Sequence, residues 1–324
     1  MLTRRGFGLL TAGAVLGQSE PALAQTYPDR PIRMLIGFPP GGTVDTVGRV
    51  IGPPMSERLG QPVIIENRSG SAGVLAVEAV ARGQPDGHTI VFGSASALVI
   101  IPHMQSSLRY DPVRDLAPIS RVVSTPMLLV VGKHVQASSV KELVAFAKAN
   151  PGKLTFGSTG NGGTLHLAGE LFKLRAGVDI LHVPYRGGAP AVTGLLAGEI
   201  DMLITDIPVV LPHVQSGAFK ALGLASDRRS PAIPDVPTVA EAGVPGVIAE
   251  GWYALYAPAG TPARIIETLQ RAVADTLALP ATQQVIADLG GIVQSSSPEG
   301  LADYQRTEFT KWGEVVRASG ASMN

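Results

Sequence analysis

The chain repeats one unit, a short apolar strand followed by a loop and a helical segment, and this repetition restricts it to an α/β fold. The first run has strands at 32–38, 63–66 and 89–93 and helices at 43–58 and 72–82. The second run has strands at 154–157, 180–183 and 200–204 and helices at 165–175 and 189–197. Each βαβαβ run predicts a mostly parallel sheet with right-handed crossovers, flanked by helices.

The glycine-rich loops of the two runs match each other. G-G-T-V-D at 41–45 opens the first helix of one run, and G-G-T-L-H at 162–166 opens the first helix of the other. The next loops match in kind, with G-S-A-G at 70–73 and G-G-A-P at 187–190. Matching loops at equivalent junctions predict two similar lobes, each with a glycine-rich loop at a helix start.

The remaining segments connect these lobes. Residues 118–131 are apolar and extended and are expected to reach the second lobe. Strands follow at 221–225 and 252–257, and helices at 262–279, 281–289 and 298–319. We expect the last part to return to the first lobe, so that two crossings form a hinge beside a cleft. Lobe 1 is therefore predicted to comprise 25–123 and 250–324, and lobe 2 to comprise 124–249.

Residues 1–24 have the pattern of an export signal. Arg4 and Arg5 precede an apolar stretch, and small residues at 22–24 resemble a cleavage site. A twin-arginine signal and a general secretory signal both fit. The alternative is a membrane anchor, but the apolar run is shorter than the ~20 residues that a span needs. We predict cleavage near Ala24 and a soluble, periplasmic mature protein.

Composition excludes several classes of function. Lys and Arg number 26, as do Asp and Glu, so the chain lacks the basic surplus of a nucleic-acid binder. There is no cysteine, and the six histidines lack metal-ligand spacing. Neither a G-x-S-x-G elbow nor an H-E-x-x-H motif occurs. We therefore expect no metal, no cofactor and no catalytic residue.

The two G-G-T loops suit an anion. A helix start leaves backbone N–H groups unpaired and carries partial positive charge, and glycines let a ligand approach the backbone. Neither loop contains Lys or Arg, so a carboxylate or phosphate would be held by backbone and hydroxyl groups. The alternative for each loop alone is an ordinary turn between a strand and a helix.

Asp45 and His166 occupy equivalent positions one turn into their helices. Asp45 either accepts a hydrogen bond from the ligand or, as we favour, caps and supports its own loop. His166 at a helix start is expected to be neutral and able to donate an N–H to an anion. A base role for His166 needs a nucleophile, and none is evident.

Other candidates lie at strand ends, where ligands of α/β proteins bind. Asp206 suits a ligand ammonium or hydroxyl group, and a turn residue before Pro208 is the alternative. The complete set of candidate ligand-binding residues is Phe38, Pro40, Gly41, Gly42, Thr43, Asp45, Ser94, Ser96, Ser158, Thr159, Asn161, Gly162, Gly163, Thr164, His166, Tyr185 and Asp206.

Several segments together resemble the substrate-binding proteins of tripartite tricarboxylate transporters, the Bug or TctC-like family. They are Y-P-D-R-P-I-R at 27–33, F-P-P-G-G-T-V-D at 38–45, E-N-R-S-G-S-A-G at 66–73, P-D-G-H-T at 85–89, Y-D-P-V-R-D-L-A-P-I at 110–119, V-P-Y-R-G at 183–187 and W-Y-A-L-Y-A-P-A-G-T-P at 252–262.

This resemblance implies a two-lobed, type II-like periplasmic binding protein that closes like a Venus flytrap. It implies capture of a small carboxylate by the glycine loops with bridging water, and delivery to membrane transporter subunits. In the family, residues matching 38–45 and 158–166 line the pocket, with the acid matching Asp206 beside it. Pro40 departs from the small residue of many members and removes one N–H donor.

Two other functions remain open from the sequence. One is an enzyme that uses the glycine loops as an oxyanion site, with His166 or Asp45 as base. The other is a sensory module that presents its bound state to a receptor. We expect a monomeric uptake protein for a di- or tricarboxylate, an aromatic acid or an acidic amino acid.

Overall fold

The computed structural model describes residues 27–41, 43–185 and 188–322. The predicted export signal, its cleavage point near Ala24, and Gly42 lie outside these residues. Within the described ranges, no helix combines the length and apolar character needed to cross a membrane.

The first run folds as the predicted alternation of strands and helices. Its elements are β1 (Ile32–Ile36), α1 (Thr43–Leu59), β2 (Val63–Asn67), α2 (Val74–Ala81) and β3 (Thr89–Ser94). Strand β1 lies between β2 and β3 and pairs with both in parallel. Helix α2 begins later than predicted because Ser71 and Ala72 adopt φ values of 47° and 52°, which belong to a turn and not to a right-handed helix.

The second run repeats this arrangement. Its elements are β5 (Thr155–Ser158), α4 (Thr164–Ala176), β6 (Leu181–Pro184), α5 (Gly188–Ala197) and β7 (Met202–Asp206). Strand β5 pairs in parallel with both β6 and β7, as β1 does with β2 and β3. The prediction of two equivalent parallel units is confirmed at the level of strand pairing.

The connecting segments contain two helices that the sequence analysis missed, α3 (Val140–Ala149) and α6 (Ile207–Gln215). Ser139 caps α3 by accepting a hydrogen bond from the Glu142 N–H at 3.2 Å. The other connecting elements are β4 (Leu116–Gly132), β8 (Phe219–Leu224), β9 (Glu250–Pro258), α7 (Ala263–Leu277), α8 (Pro280–Asp288), β10 (Ile292–Val293) and α9 (Pro298–Ser319).

Strand β4 joins the two parallel units into one mixed sheet. The strand order is β2-β1-β3-β9-β4-β7-β5-β6, with β8 and β10 also pairing with β4. Residues 116–126 of β4 pair antiparallel with β9, whereas residues 127–131 pair antiparallel with β7. The partner changes at Pro126, a residue that cannot donate to a ladder. The antiparallel strands are thus the segments that connect the units.

Helix α9 returns the end of the chain to the centre of this sheet, where it packs against β4. Trp252 on β9 and Trp312 on α9 are both fully buried. Their indole N–H groups donate to the same Glu308 oxygen, at 3.3 and 3.0 Å. Buried N–H groups need such a partner, so Glu308 links the helix to the strand.

Replacement of Glu308 by alanine is expected to lower the free energy of unfolding by ~2–5 kcal/mol, because two buried indole N–H groups lose their acceptor. Glu314→Ala, at an exposed position of the same helix, is the matched control and is expected to change it by less than ~0.5 kcal/mol. Equilibrium unfolding in denaturant measures both. Equal stabilities of the two variants would contradict the assigned role of Glu308.

Candidate functional site

A cavity of about 160 Å³ lies where the two parallel units meet. A cavity of about this size holds a molecule such as benzene, so its ligand is small. The lining residues come from both units and from β9: Phe38, Ala72, Ser94, Ala95, Ser96, Thr159, Gly163, Thr164, Leu165, Asp206, Gly251, Trp252 and Tyr253.

A larger depression of about 480 Å³ lies elsewhere, at the surface near Tyr27 and Arg264. Arg30 lies 2.7 Å from Asp86 there, and His88 lies 3.0 Å from Asp29, although both His88 ring nitrogens lack a hydrogen-bond partner among the described residues. The smaller cavity is the better candidate because it lies between the two parallel units, at the strand ends and glycine loop where ligands of α/β proteins bind.

The first glycine loop is braced by Asp45. Gly41 adopts a φ of 86°, and its N–H donates to Asp45 Oδ2 at 2.9 Å. Arg49 Nε donates to the same oxygen at 2.9 Å, and Asn67 Nδ2 donates to Oδ1 at 2.8 Å. The Arg49 hydrogen bond, with those from Gly41 and Asn67, holds the pKa of Asp45 at about 2. Asp45 therefore supports the loop and does not line the cavity.

The second loop is braced in the same way by His166. Gly162 adopts a φ of 76°, and its N–H donates to His166 Nδ1 at 3.2 Å. The His166 ring stacks on His182 with 3.9 Å between centroids, and burial lowers the pKa of each imidazole to about 4. His166 is thus neutral, as predicted. Its Nδ1 accepts a loop N–H, so the donation to an anion, which stays a prediction, would have to come from Nε2.

Ser158 also belongs to the support of the second loop. Its hydroxyl lies 2.6 Å from His182 Nε2 and accepts a hydrogen bond from the Gly160 N–H at 3.1 Å. The residue is fully buried and is not part of the cavity wall. It braces the end of β5 where that strand leads into the loop.

Hydroxyl groups from the two parallel units meet at the cavity. Ser96, in the π-helical turn that follows β3, lies with its Oγ 2.9 Å from Thr164 Oγ1 at the start of α4. This hydrogen bond joins the two units across the site. The first N–H groups of α4 have no partner within the helix and lie at the same wall.

Two buried polar atoms in this cavity have no hydrogen-bond partner among the described residues, Ser94 Oγ and Asp206 Oδ1. Such atoms are rare in folded proteins because burial without a partner is costly. Burial raises the pKa of Asp206 to about 6, while the nearby Thr125 hydroxyl opposes the shift. Burial and the Asp206 charge raise the pKa of Tyr253, so this phenol stays protonated.

The cavity includes part of the predicted set. Predicted residues that line it are Phe38, Ser94, Ser96, Thr159, Gly163, Thr164 and Asp206. Predicted residues that do not line it are Pro40, Gly41, Thr43, Asp45, Ser158, Asn161, Gly162, His166 and Tyr185. Tyr185 instead donates its hydroxyl to Glu199 at 3.2 Å. Gly42 lies outside the described residues, so its role stays a prediction.

Six lining residues were missed, namely Ala72, Ala95, Leu165, Gly251, Trp252 and Tyr253. Trp252 and Tyr253 were identified only as part of a family motif. Ala72 could be identified only from its backbone conformation, because its φ of 52° is strained for a residue other than glycine. Strain of this kind concentrates at ligand sites.

Comparison with known proteins identifies the family. Residues 47–321 match the family described as tripartite tricarboxylate transporter family receptor. Protein BugT of Bordetella pertussis is 38% identical over 311 residues, which cover 96% of this chain and 95% of that protein. The chain belongs to the tripartite tricarboxylate transporter receptor family. The resemblance predicted from the sequence motifs is confirmed.

Solved structures agree with this assignment. R. palustris Rpa4515 with adipate has a TM-score of 0.81 at 32% identity, with 91% of this chain and 99% of that chain covered. MatC from Rhodopseudomonas palustris with bound malate has a TM-score of 0.78 at 33% identity, with 90% and 100% covered. The predicted periplasmic-binding-protein fold is therefore confirmed. In the part of this chain that the structure describes, no cluster of three or more metal-binding side chains occurs.

Asp45→Asn tests the bracing of the first loop. It is expected to lower the free energy of unfolding at neutral pH by ~1–3 kcal/mol, because an ionised acceptor of three hydrogen bonds is lost. The pKa of Asp45 is lowered in the fold from 3.8 to about 2. Its stabilisation is therefore complete above about pH 4 and is lost as the pH falls towards 2.

The difference in free energy of unfolding between wild type and Asp45→Asn should consequently shrink as the pH falls from about 4 towards 2, as measured by denaturant titration. Asp275→Asn, at an exposed position of α7, serves as the matched control and should stay within ~0.5 kcal/mol of wild type. A difference that is independent of pH would show that the Asp45 charge does not brace the loop.

Proposed function

We propose that this protein is a monomeric periplasmic solute-binding protein that captures a small carboxylate and delivers it to a transporter of the tripartite tricarboxylate type. The observation that carries the proposal is the cavity between the two units, which combines a helix start, paired hydroxyl groups and two unpartnered polar atoms. Membership of the receptor family supports the delivery role. The relatives solved with adipate and malate support a carboxylate as ligand.

The start of α4 is the proposed anion site. Gly163, Thr164 and Leu165 line the cavity at the point where the helix leaves backbone N–H groups unpaired. No Lys, Arg or His belongs to the cavity wall formed by the described residues. A carboxylate would therefore be held by N–H groups, hydroxyls and bridging water.

Closure of two lobes over the ligand is part of the proposal. Strands β4 and β9 run through the region between the parallel units, near the predicted lobe boundaries at residues 124 and 250. The hydrogen bond between Ser96 and Thr164 spans the two units, so opening of the cleft would break it. A ligand that contacts both walls would stabilise the closed arrangement. Residues 1–24 are proposed to direct export, with cleavage near Ala24.

Among the described residues, the contact between Ser158 and His182 is the one feature that would suit the enzymatic alternative. Ser158 and His182 form a contact of 2.6 Å that resembles a nucleophile with its base. Ser158 is however fully buried, its hydroxyl is shared with the Gly160 backbone, and it lies outside the cavity wall. A substrate in the cavity would not reach it, so we propose binding without catalysis.

A panel of small carboxylates is expected to contain at least one ligand that stabilises the protein. At about 100 times its Kd, such a ligand should add ~2.7 kcal/mol to the free energy of unfolding. Thermal melting curves measure the effect, and native mass spectrometry reports whether the ligand is recovered unchanged. A panel of di- and tricarboxylates, aromatic acids and amino acids that leaves the melting curve unmoved would contradict the proposal.

Gly163→Val is expected to weaken binding of the panel's best ligand at least about tenfold. A Cβ at this position would lie 2.9 Å from Thr159 Oγ1, so the Thr159 side chain must shift and the valine side chain crowds the anion site. Gly300→Val, in the exposed first turn of α9, is the matched control. Calorimetric titration of both variants gives the comparison, and equal affinities would place the anion site elsewhere.

A further inference from the structure

Asp206 is the one acidic side chain in the described wall of the cavity, and it does not cap the helix that follows it. It lies at the end of β7 and at the N-cap position of α6, yet its side chain makes no capping hydrogen bond. Acidic residues at this position usually accept a backbone N–H of the following helix. The buried Oδ1 instead lacks any hydrogen-bond partner among the described residues.

Among the described residues of the cavity wall around Asp206, none carries a positive charge. Tyr253 on β9 is the titratable group that faces it, and the Thr125 hydroxyl on β4 lies beside it. Ser96 from the opposite unit and Thr164 from the same unit contribute only hydroxyl groups. An ionised Asp206 therefore remains uncompensated unless the ligand compensates it.

A ligand carboxylate at the start of α4 adds a second negative charge to the same small cavity. A dicarboxylate dianion would add a third, again without a cation in the described wall. Negative charges held together in one small cavity repel strongly where the dielectric constant is low. Binding of a fully ionised dicarboxylate is therefore disfavoured.

We propose that Asp206 selects ligands that bring a hydrogen-bond donor to its Oδ1. This inference rests on the proposed carboxylate-binding function and narrows it to amino- or hydroxycarboxylates, with dicarboxylates admitted only together with one proton. An ammonium group compensates the Asp206 charge fully, and a hydroxyl group supplies the missing hydrogen bond. The pKa of Asp206, raised to about 6 by burial, makes protonation of this carboxyl accessible.

The test uses carboxylates of matched skeleton. For chains of three to five carbons, the unsubstituted acid is compared with its amino, hydroxy and carboxy derivatives, substituted at carbon 2 or at the far end. Calorimetric titration is carried out at about pH 8 and about pH 5.5 with wild type and Asp206→Asn. Asp235→Asn, in an exposed loop away from the cavity, is the matched control.

At about pH 8, the wild type should bind an amino or hydroxy derivative at least about tenfold more tightly than the plain acid and the dicarboxylate of the same length. Asp206→Asn should weaken binding of the amino derivative about 10- to 100-fold. It should strengthen binding of the dicarboxylate, because the amide can donate a hydrogen bond to a carboxylate. Asp235→Asn should leave these ratios unchanged.

The pH dependence gives a second readout. Dicarboxylate affinity in the wild type should rise as the pH falls from 8 towards 6, by up to about tenfold per pH unit, with uptake of about one proton measured in buffers of different ionisation enthalpy. Asp206→Asn should abolish both the slope and the uptake. The amino derivatives should show neither effect over this range.

The outcomes separate this inference from the proposed function. Tight dicarboxylate binding at about pH 8 without proton uptake, or an unchanged preference in Asp206→Asn, overturns the role of Asp206 while carboxylate binding stands. If no member of the set binds but other carboxylates in the broad panel do so without proton uptake, the inference fails alone. If no carboxylate binds at all, the proposed function fails with it.

Discussion

The site depends on one hydrogen bond made in each half of the chain, from the N–H of a left-handed glycine to the side chain four residues further on. Gly41 donates to Asp45, and Gly162 donates to His166. The two bonds have the same spacing along the chain, but their acceptors differ in charge. Asp45 is an ionised carboxylate at the start of α1 and already complements the partial positive charge there, whereas the neutral His166 leaves the start of α4 uncompensated. Among the described residues, the second loop contributes Thr159, Gly163 and Thr164 to the cavity wall, whereas the first loop contributes Phe38.

The floor of the cavity is held by the mixed sheet. Strand β4 pairs with β9 over one part of its length and with β7 over the next. Gly251 on β9 pairs with Thr125, and Asp206 on β7 pairs with Met127, so Gly251 and Asp206 lie at neighbouring positions of the sheet. The Trp252 indole is fixed from behind by Glu308. Groups on paired strands have little freedom, which suits a site that must recognise a small solute with few contacts.

Charge is the main limit on what this cavity can accept. Its described wall contains an acidic side chain and no basic one, so the ligand and the solvent must supply any positive charge or proton. The strained Ala72 and the unpartnered Ser94 hydroxyl lie in the same wall and indicate that the fold is constrained there for binding and not for stability.

Local features of this site were predictable from the sequence, and its assembly was not. The glycine loops, their helices and the equivalence of positions 45 and 166 follow from residues adjacent in the chain, because glycine content and apolar periodicity act over a few residues. Helix α6 was missed because Pro208 was interpreted as a turn signal, although proline is also favoured in a first helical turn. Trp252 and Tyr253 could not be placed, because the pairing of β9 with β3 and β4 decides which of its side chains reach the cavity. The sequence by itself thus determined the repeated α/β units and the family. Only the tertiary structure decided that His166 stacks on His182 and that Asp206 Oδ1 has no hydrogen-bond partner, because burial and such contacts come from segments far apart in the chain.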